Sequence, residues 1–315
     1  MGLNNQHYHE LADALGIVTP SPCQPFSPDW DGAERVRLYV KRDDLIHPII
    51  SGNKWRKLWP VLAHAQRHNI RHIVSFGGAH SNHLHALAFA CHRLGITLTA
   101  AVRGYENAPV TPTLEDLARW GAQVQFYDKV KYRYQQQPEG LADLQRHYPN
   151  ALFLAQGGAT TDGLEGLAPL WEEFDTPPDV LLLPIGSGMT LAGLLASRQQ
   201  RHTRLIGVAA LQGQDYLESL VNDLYNSANQ SAHWHIDHRF HCGGFAKSAP
   251  ALRQLCEQLN RDTGIPVEPV YSGKVVLALK TLLVERAFAP QASVVWLHTG
   301  GLQGARAQSR QGLQI

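Results

Sequence analysis

Apolar and polar residues along this chain follow two periods that take turns. Arg37-Leu38-Tyr39-Val40-Lys41 alternates residue by residue, the pattern of a strand with one buried face. Ser51-Gly52-Asn53 then supplies small and capping residues before residues 54–68, where apolar positions recur at helical spacing. The change of period repeats. Residues 73–76 read as a strand, Gly77-Gly78 as a turn and 82–94 as a helix; 97–102 is a strand, 113–120 a helix ended by Gly121, and 123–127 a strand. After Gly157-Gly158, the apolar run 180–183 leads through Gly186-Ser187-Gly188 into a helix over 190–197, followed by a strand over 205–210. Helices over 249–261 and 271–286 and a strand over 293–298 complete the pattern. Only the opening, with Pro20, Pro22, Pro25 and Pro28, reads as an extended arm, so regular structure is expected to begin after it. Strands alternating with helices of this length form right-handed βαβ units, which predicts an α/β protein with mostly parallel, twisted sheets flanked by helices.

Composition narrows the partners. The 28 basic and 27 acidic side chains leave a net charge of +1, so neither nucleic acid nor an anionic membrane is favoured as a partner. The polar run 129–138 holds three cations in ten residues and reads as a surface loop or helix edge rather than a binding patch. Cys23, Cys91, Cys242 and Cys256 are far apart, with no zinc-type pairing, and fit reduced thiols. The start Met1–Gln6 has no basic, apolar leader, and no apolar run approaches the roughly 20 residues of a membrane helix. A soluble cytoplasmic protein is expected.

Three segments carry candidate chemistry. Gly186 to Thr190 follows a buried strand and opens a helix, where small residues bring backbone N–H groups to an anion; an empty tight turn would look the same. Lys54 opens a helix close to Arg56 and Lys57, which either favours a neutral, nucleophilic amine or makes all three one solvated basic face. Ser81 or Asn82, ahead of His83, is either an N-cap or a donor at the sheet edge.

The run Lys41 to Asp44, Ser51-Gly52-Asn53-Lys54, Gly77-Gly78 through Ser81-Asn82-His83, Gly186 to Thr190, Glu268-Pro269-Val270-Tyr271-Ser272-Gly273-Lys274 and His298-Thr299-Gly300-Gly301 stand in an order that resembles the 1-aminocyclopropane-1-carboxylate deaminase and D-cysteine desulfhydrase family. These are pyridoxal-phosphate enzymes with the tryptophan-synthase-β type of fold. The resemblance spans about residues 37–301. It implies a small domain over 52–162 inserted into a large one over 1–51 and 163–315, with the cofactor in the cleft, and a homodimer acting on a small amino acid. Lys54 would condense with the cofactor aldehyde and later shuttle a proton. Gly186, Ser187, Gly188, Met189 and Thr190 would bind the phosphate, and Asn82 the ring oxygen. Ser81 would act as nucleophile or carboxylate binder, with Asn82 and His83 beside it, and Tyr271 would lie against the reacting substrate.

One departure from the pattern bears on the reaction. The deaminases carry a glutamate directly after the tyrosine, where this chain has Ser272. A hydroxyl alone cannot hold a proton on the pyridine nitrogen, so the cofactor is expected to be a weaker electron sink. That favours elimination of a good β-substituent, as in a D-cysteine desulfhydrase, with ring-opening deamination of 1-aminocyclopropane-1-carboxylate as the alternative. A reading of another class, a histidine-rich metal-binding protein, rests on His233, His235, His238 and His241 with Cys242, and on His83 with His85; residues 233–241 are otherwise a surface strand or loop.

Overall fold

The computed structural model describes residues 5–158, 160–197, 202–225 and 233–306. Met1–Asn4, on which the reading of the chain start partly rests, lie outside the described residues. In chain order the elements are α1 (Asn5–Leu15), β1 (Cys23–Pro25), β2 (Arg37–Lys41), α2 (Asn53–Arg67), β3 (His72–Gly78), α3 (Asn82–Leu94), β4 (Thr97–Arg103), α4 (Pro112–Arg119), β5 (Gln123–Tyr127), α5 (Lys129–Tyr134) and α6 (Pro138–His147). They continue with β6 (Leu152–Leu154), α7 (Thr161–Glu165), α8 (Ala168–Glu172), β7 (Val180–Ile185), α9 (Met189–Ala196), β8 (Arg204–Ala209), α10 (Tyr216–Tyr225), β9 (Trp234–Asp237), α11 (Pro250–Thr263), α12 (Ser272–Val284) and β10 (Ser293–Leu297).

The chain divides into two compact units. One takes the described residues of Met1–Val18, His47–Gly163 and Gln303–Ile315; the other takes Thr19–Ile46 and Leu164–Leu302. This grouping differs from the sequence-based division at the termini, because α1 packs with α2: Tyr8 meets Trp55 and Trp59 at centroid distances of 5.7 and 5.0 Å.

The first unit is built on a sheet in the order β5-β4-β3-β6, with every pairing parallel. Ile73, Val74, Leu98 and Ala100 are buried in it, as near-continuous apolar strands covered by helices require. On one face Tyr132 of α5 packs with Phe76, Ala101 and Leu144. Of the two readings of the run 129–138 the helix holds for its start, Lys129–Tyr134, which is docked through the buried Tyr132.

The second unit carries a sheet in the order β1-β2-β10-β7-β8-β9, parallel except where β1 meets β2. Every residue of β7 is buried. Pro184 is tolerated near the end of this central strand because β10 pairs with it only as far as Leu182. Phe26, Leu38, Leu182, Val208, Leu279 and Trp296 belong to its core. Helix α12 approaches so closely that a Cβ on Gly32, whose φ is +83°, would stand 2.4 Å from the Leu283 carbonyl oxygen.

Two further expectations change. Regular structure does not wait for the proline-rich arm to end: α1 precedes it, and β1 lies within it as three residues held by Lys41, Val40 and Tyr39 of β2. Gly77-Gly78 is not a turn but the end of β3, paired with Val102 and Arg103. Among the described residues no helix is long and apolar enough to cross a membrane.

Candidate active site

In open α/β sheets ligands meet the carboxyl ends of the strands, where chain segments enter helices. The sequence-selected residues stand at such ends, in two groups, one in each unit.

In the first unit Lys54 is the second residue of α2 and Lys57 lies one turn further along the same face. The expectation of a solvated basic face fails here, since Arg56 and Lys57 are 1% and 4% exposed. Lys54 donates to Asn53 Oδ1 at 2.8 Å. Burial lowers the Lys54 amine to about 8. Burial, and secondly the charge of Lys54, holds Lys57 well below the ordinary lysine range. His83, in the first turn of α3, is enclosed too: its Nε2 meets Ser75 Oγ at 2.8 Å, its Nδ1 has no hydrogen-bond partner, and burial with both lysines brings it down to about 3. Among the described residues no acid is one of the groups that shift these three, so the basic groups stand together in a setting that suits an anion.

The lowered amine has a measurable consequence. Covalent capture of pyridoxal phosphate by the cofactor-free protein is expected to accelerate with pH through an apparent pKa of about 8, because only the neutral amine attacks an aldehyde. Stopped-flow absorbance across pH 6 to 10 checks this on the order of one pH unit. A rise that continues to the ordinary lysine value of 10.5 would contradict the enclosed placement of Lys54.

Ser81 combines the two roles left open by the sequence. It is the N-cap of α3, its Oγ accepting from the Leu84 N–H at 3.2 Å, and its hydroxyl proton remains free to donate. Asn82 accepts through Oδ1 from the Gln303 side-chain amide, which turns the Asn82 NH₂ away from that contact. Gln303 was not singled out in the sequence, and nothing in its neighbours' pattern marks it. His80 is exposed.

In the second unit Gly186–Gly188 links β7 to α9, and Gly188 is the N-cap with φ +71°. A Cβ at Gly188 would lie 3.0 Å from Val221 Cγ2, and one at Gly186 would lie 3.2 Å from Tyr271 Cε1. Only glycine keeps this turn open to a ligand's backbone contacts. Met189 and Thr190 are buried as the helix begins, while Ser187 is partly exposed. An eight-residue helix whose N-terminus opens directly from this turn suits a phosphate.

Tyr271 precedes α12, and burial together with the Glu268 charge raises its phenol above the ordinary value, so it keeps its proton and acts as a donor. Ser272 is buried and engaged with Glu268, a residue quoted in the motif but given no role by it: Oγ accepts from the Glu268 N–H at 2.9 Å and lies 3.2 Å from Glu268 Oε1. His298, by contrast, is spent on structure. Its Nδ1 accepts from the Gly300 N–H at 3.2 Å and its Nε2 donates to the Pro266 carbonyl at 2.6 Å.

Among the described residues no three histidine, cysteine, aspartate or glutamate side chains are grouped to hold a metal ion. His235 lies on β9, His238 Nε2 meets Glu218 Oε1 at 2.7 Å, and His241 Nδ1 accepts from the Gly243 N–H. His85 is bonded to Asp116 at 3.0 Å.

A Pyrococcus horikoshii protein provisionally named a 1-aminocyclopropane-1-carboxylate deaminase is 27% identical over 280 residues, 85% of each chain. The Arabidopsis thaliana protein named as a bifunctional mitochondrial D-cysteine desulfhydrase and 1-aminocyclopropane-1-carboxylate deaminase is 25% identical over 85% of this chain and 73% of its own. A crystal structure of a 1-aminocyclopropane-1-carboxylate deaminase homologue superposes with a TM-score of 0.75 at 23% identity, covering 96% of this chain and 98% of the other, which shows a common fold. Residues 16–300 match the family of pyridoxal-phosphate-dependent enzymes, and with nearly the whole chain inside that match, the protein is a member of it.

Proposed function

We propose that this enzyme is a lyase that removes a β-substituent from a small amino acid, D-cysteine first among the candidates, releasing a keto acid, ammonia and sulfide. It would act in the cytoplasm, as the scattered cysteines suggest, and as a homodimer, as the resemblance implies. The observation that supports a pyridoxal-phosphate enzyme is Lys54 at the start of α2, its amine lowered to about 8 beside the buried Lys57 and His83; the choice of D-cysteine rests on sulfide as a good leaving group. An aldehyde with a dianionic phosphate fits such a cluster and the glycine-lined turn at α9.

When bound, pyridoxal phosphate conjugates the substrate amine with an electron-withdrawing ring and so acidifies Cα–H. The protein's own groups do the rest. Lys54 would hold the cofactor through its aldehyde, and its amine, lowered to about 8, could take a proton at substrate Cα near neutral pH. The Gly186–Thr190 turn holds phosphate through first-turn N–H groups, and the Asn82 NH₂, oriented by Gln303, donates to the ring oxygen. Ser81, through its remaining proton, and the start of α3 bind the substrate carboxylate. His83, enclosed and neutral, contributes to the polarity behind that turn rather than a charge in it. Tyr271, which keeps its proton, supplies a hydrogen bond or a proton to the departing group. The β-substituent would leave with the bonding pair, assisted by that contact.

Ring opening of 1-aminocyclopropane-1-carboxylate is the second reading, and one observation favours it: a carboxylate, Glu268, stands directly behind the Ser272 hydroxyl. Keto-acid release from D-cysteine, L-cysteine, β-chloroalanine, D-serine and 1-aminocyclopropane-1-carboxylate decides between them. Turnover of D-cysteine above the others is expected. Turnover confined to the cyclopropane would overturn the first reading in favour of the second.

A further inference from the structure

The start of α12 holds a buried acid that the reaction as described does not use. Glu268 is 3% exposed. Its Oε2 accepts from the Val270 N–H at 2.7 Å, and its Oε1 accepts from the Tyr271 and Ser272 N–H groups, each at 2.8 Å. Every group that meets the two oxygens is a donor, and the helix N-terminus adds its own positive end. Burial is the largest influence and raises the acid above the ordinary carboxyl value, while these donors oppose it. Around it lie the Lys274 ammonium, which is bonded to the carbonyls of Ala210 and Gly244, the phenol of Tyr271 and the thiol of Cys256. Against that rise, three N–H donors within 2.8 Å and the helix N-terminus favour the carboxylate over the acid.

A serine hydroxyl has one proton and two acceptor positions. On Ser272 one acceptor position is taken by the Glu268 N–H at 2.9 Å. The proton has Glu268 Oε1 at 3.2 Å or the Glu268 carbonyl oxygen at 3.3 Å to go to, and a charged acceptor outbids a neutral one by about twofold in strength. What remains on the hydroxyl is a lone pair. A pyridine nitrogen that meets a lone pair is stable there only when it carries a proton itself.

We propose that Glu268, acting through the Ser272 hydroxyl, is a positioning residue that keeps the pyridine nitrogen of the bound cofactor protonated. The inference rests on the reading that Ser272 meets that nitrogen. It reverses the expectation of a weak electron sink drawn from Ser272 alone, because the carboxylate missing after the tyrosine is supplied one hydroxyl further back; the preference for D-cysteine then rests on sulfide as a good leaving group, not on the sink.

The test is ¹⁵N NMR of the enzyme loaded with ring-¹⁵N pyridoxal phosphate, in wild type, Glu268→Gln, Ser272→Ala and the double variant. Wild type is expected in the protonated range and both single variants shifted toward the neutral range. Glu268→Gln is expected to add nothing once Ser272 is alanine. A neutral nitrogen in wild type overturns the proposal, and so does a Glu268→Gln shift that persists undiminished without the hydroxyl. If Glu268→Gln fails to fold, a Ser272→Ala nitrogen that stays protonated overturns it equally, and a neutral one supports it. Failure of the underlying reading is seen separately, as a wild type that forms no borohydride-reducible adduct with the cofactor.

Discussion

Replacing Lys54 with alanine is expected to abolish covalent cofactor capture and to lower turnover by at least roughly 10²–10⁴-fold, the contribution of a positioned proton-transfer group alone. The variant should nonetheless fold. In the native protein the Lys54 amine titrates near 8, against 10.5 for an ordinary lysine. Between these values the unfolded chain binds more protons, so stability rises with pH across this window. Below about 8 the full penalty for enclosing a charged amine is present, and above 10.5 it is gone. The penalty is at most about 3 kcal/mol by the usual conversion. Lys54→Ala is therefore expected to match or exceed wild-type stability at pH 7 when cofactor-free, by urea denaturation, while being inactive. A variant that retains turnover would remove Lys54 from the mechanism. One that unfolds would mean its amine helps hold the fold together.

The second large effect lies in the other unit. Lys41 ends β2 and is wholly buried, its Nζ bonded to Glu173 Oε2 at 2.7 Å and to the Ser21 carbonyl at 2.5 Å, with the Phe174 ring 5.5 Å away. Removing one partner of a buried ion pair costs about 3–5 kcal/mol, because the other charge stays behind in a medium that solvates it poorly. Lys41→Met is expected to destabilise the protein by that amount. Adding Glu173→Met should recover most of it, since an apolar pair of similar volume replaces an ionic one with little net loss. The damage should reach the site end of the sheet, because Leu297 of β10 pairs with Lys41 and His298 follows it. Urea midpoints of the single and double variants check this. A Lys41→Met loss below about 1 kcal/mol, the level of a solvent-exposed pair, would contradict the buried assignment.

Lys41 also shows what the sequence could and could not convey. The run Lys41 to Asp44 drew attention as a motif, yet its charges are used internally. Lys41 pairs with Glu173, Arg42 forks onto Asp44, and Asp43 accepts from Ser21 Oγ at 2.6 Å. A charge run gives no sign of whether its partners lie in solvent, in a ligand or in the same fold. The elements that could be read were those whose ends are chemically marked. Helix α3 runs Asn82–Leu94 as expected because Ser81 caps one end and Gly95, with φ +65°, closes the other. Strand β5 was equally plain, its boundaries set by Gly121 and by Asp128, which caps α5.

Elements decided by tertiary contact were hidden. The place of helix α1 depends on Tyr8 against two tryptophans about fifty residues on, which its own sequence does not mark. Strand β1 has three residues and exists only through its ladder to β2. At the site, the Lys54–Lys57 spacing showed that both amines share a helix face, but whether that face is wet or enclosed depends on what packs over it. Glu268 was legible as a residue and not as a neighbour of Ser272, because Pro269 interrupts the usual capping pattern between them.

The account stands or falls on where the cofactor is attached. Borohydride reduction of the loaded wild-type enzyme, followed by peptide mass spectrometry, locates the phosphopyridoxyl group directly. The predicted result is a single adduct on Lys54, absent from Lys54→Ala, with Lys57 unmodified although it lies one turn away with a lowered amine of its own. An adduct on Lys57 or on any other lysine, or one that survives the Lys54 substitution, would contradict it.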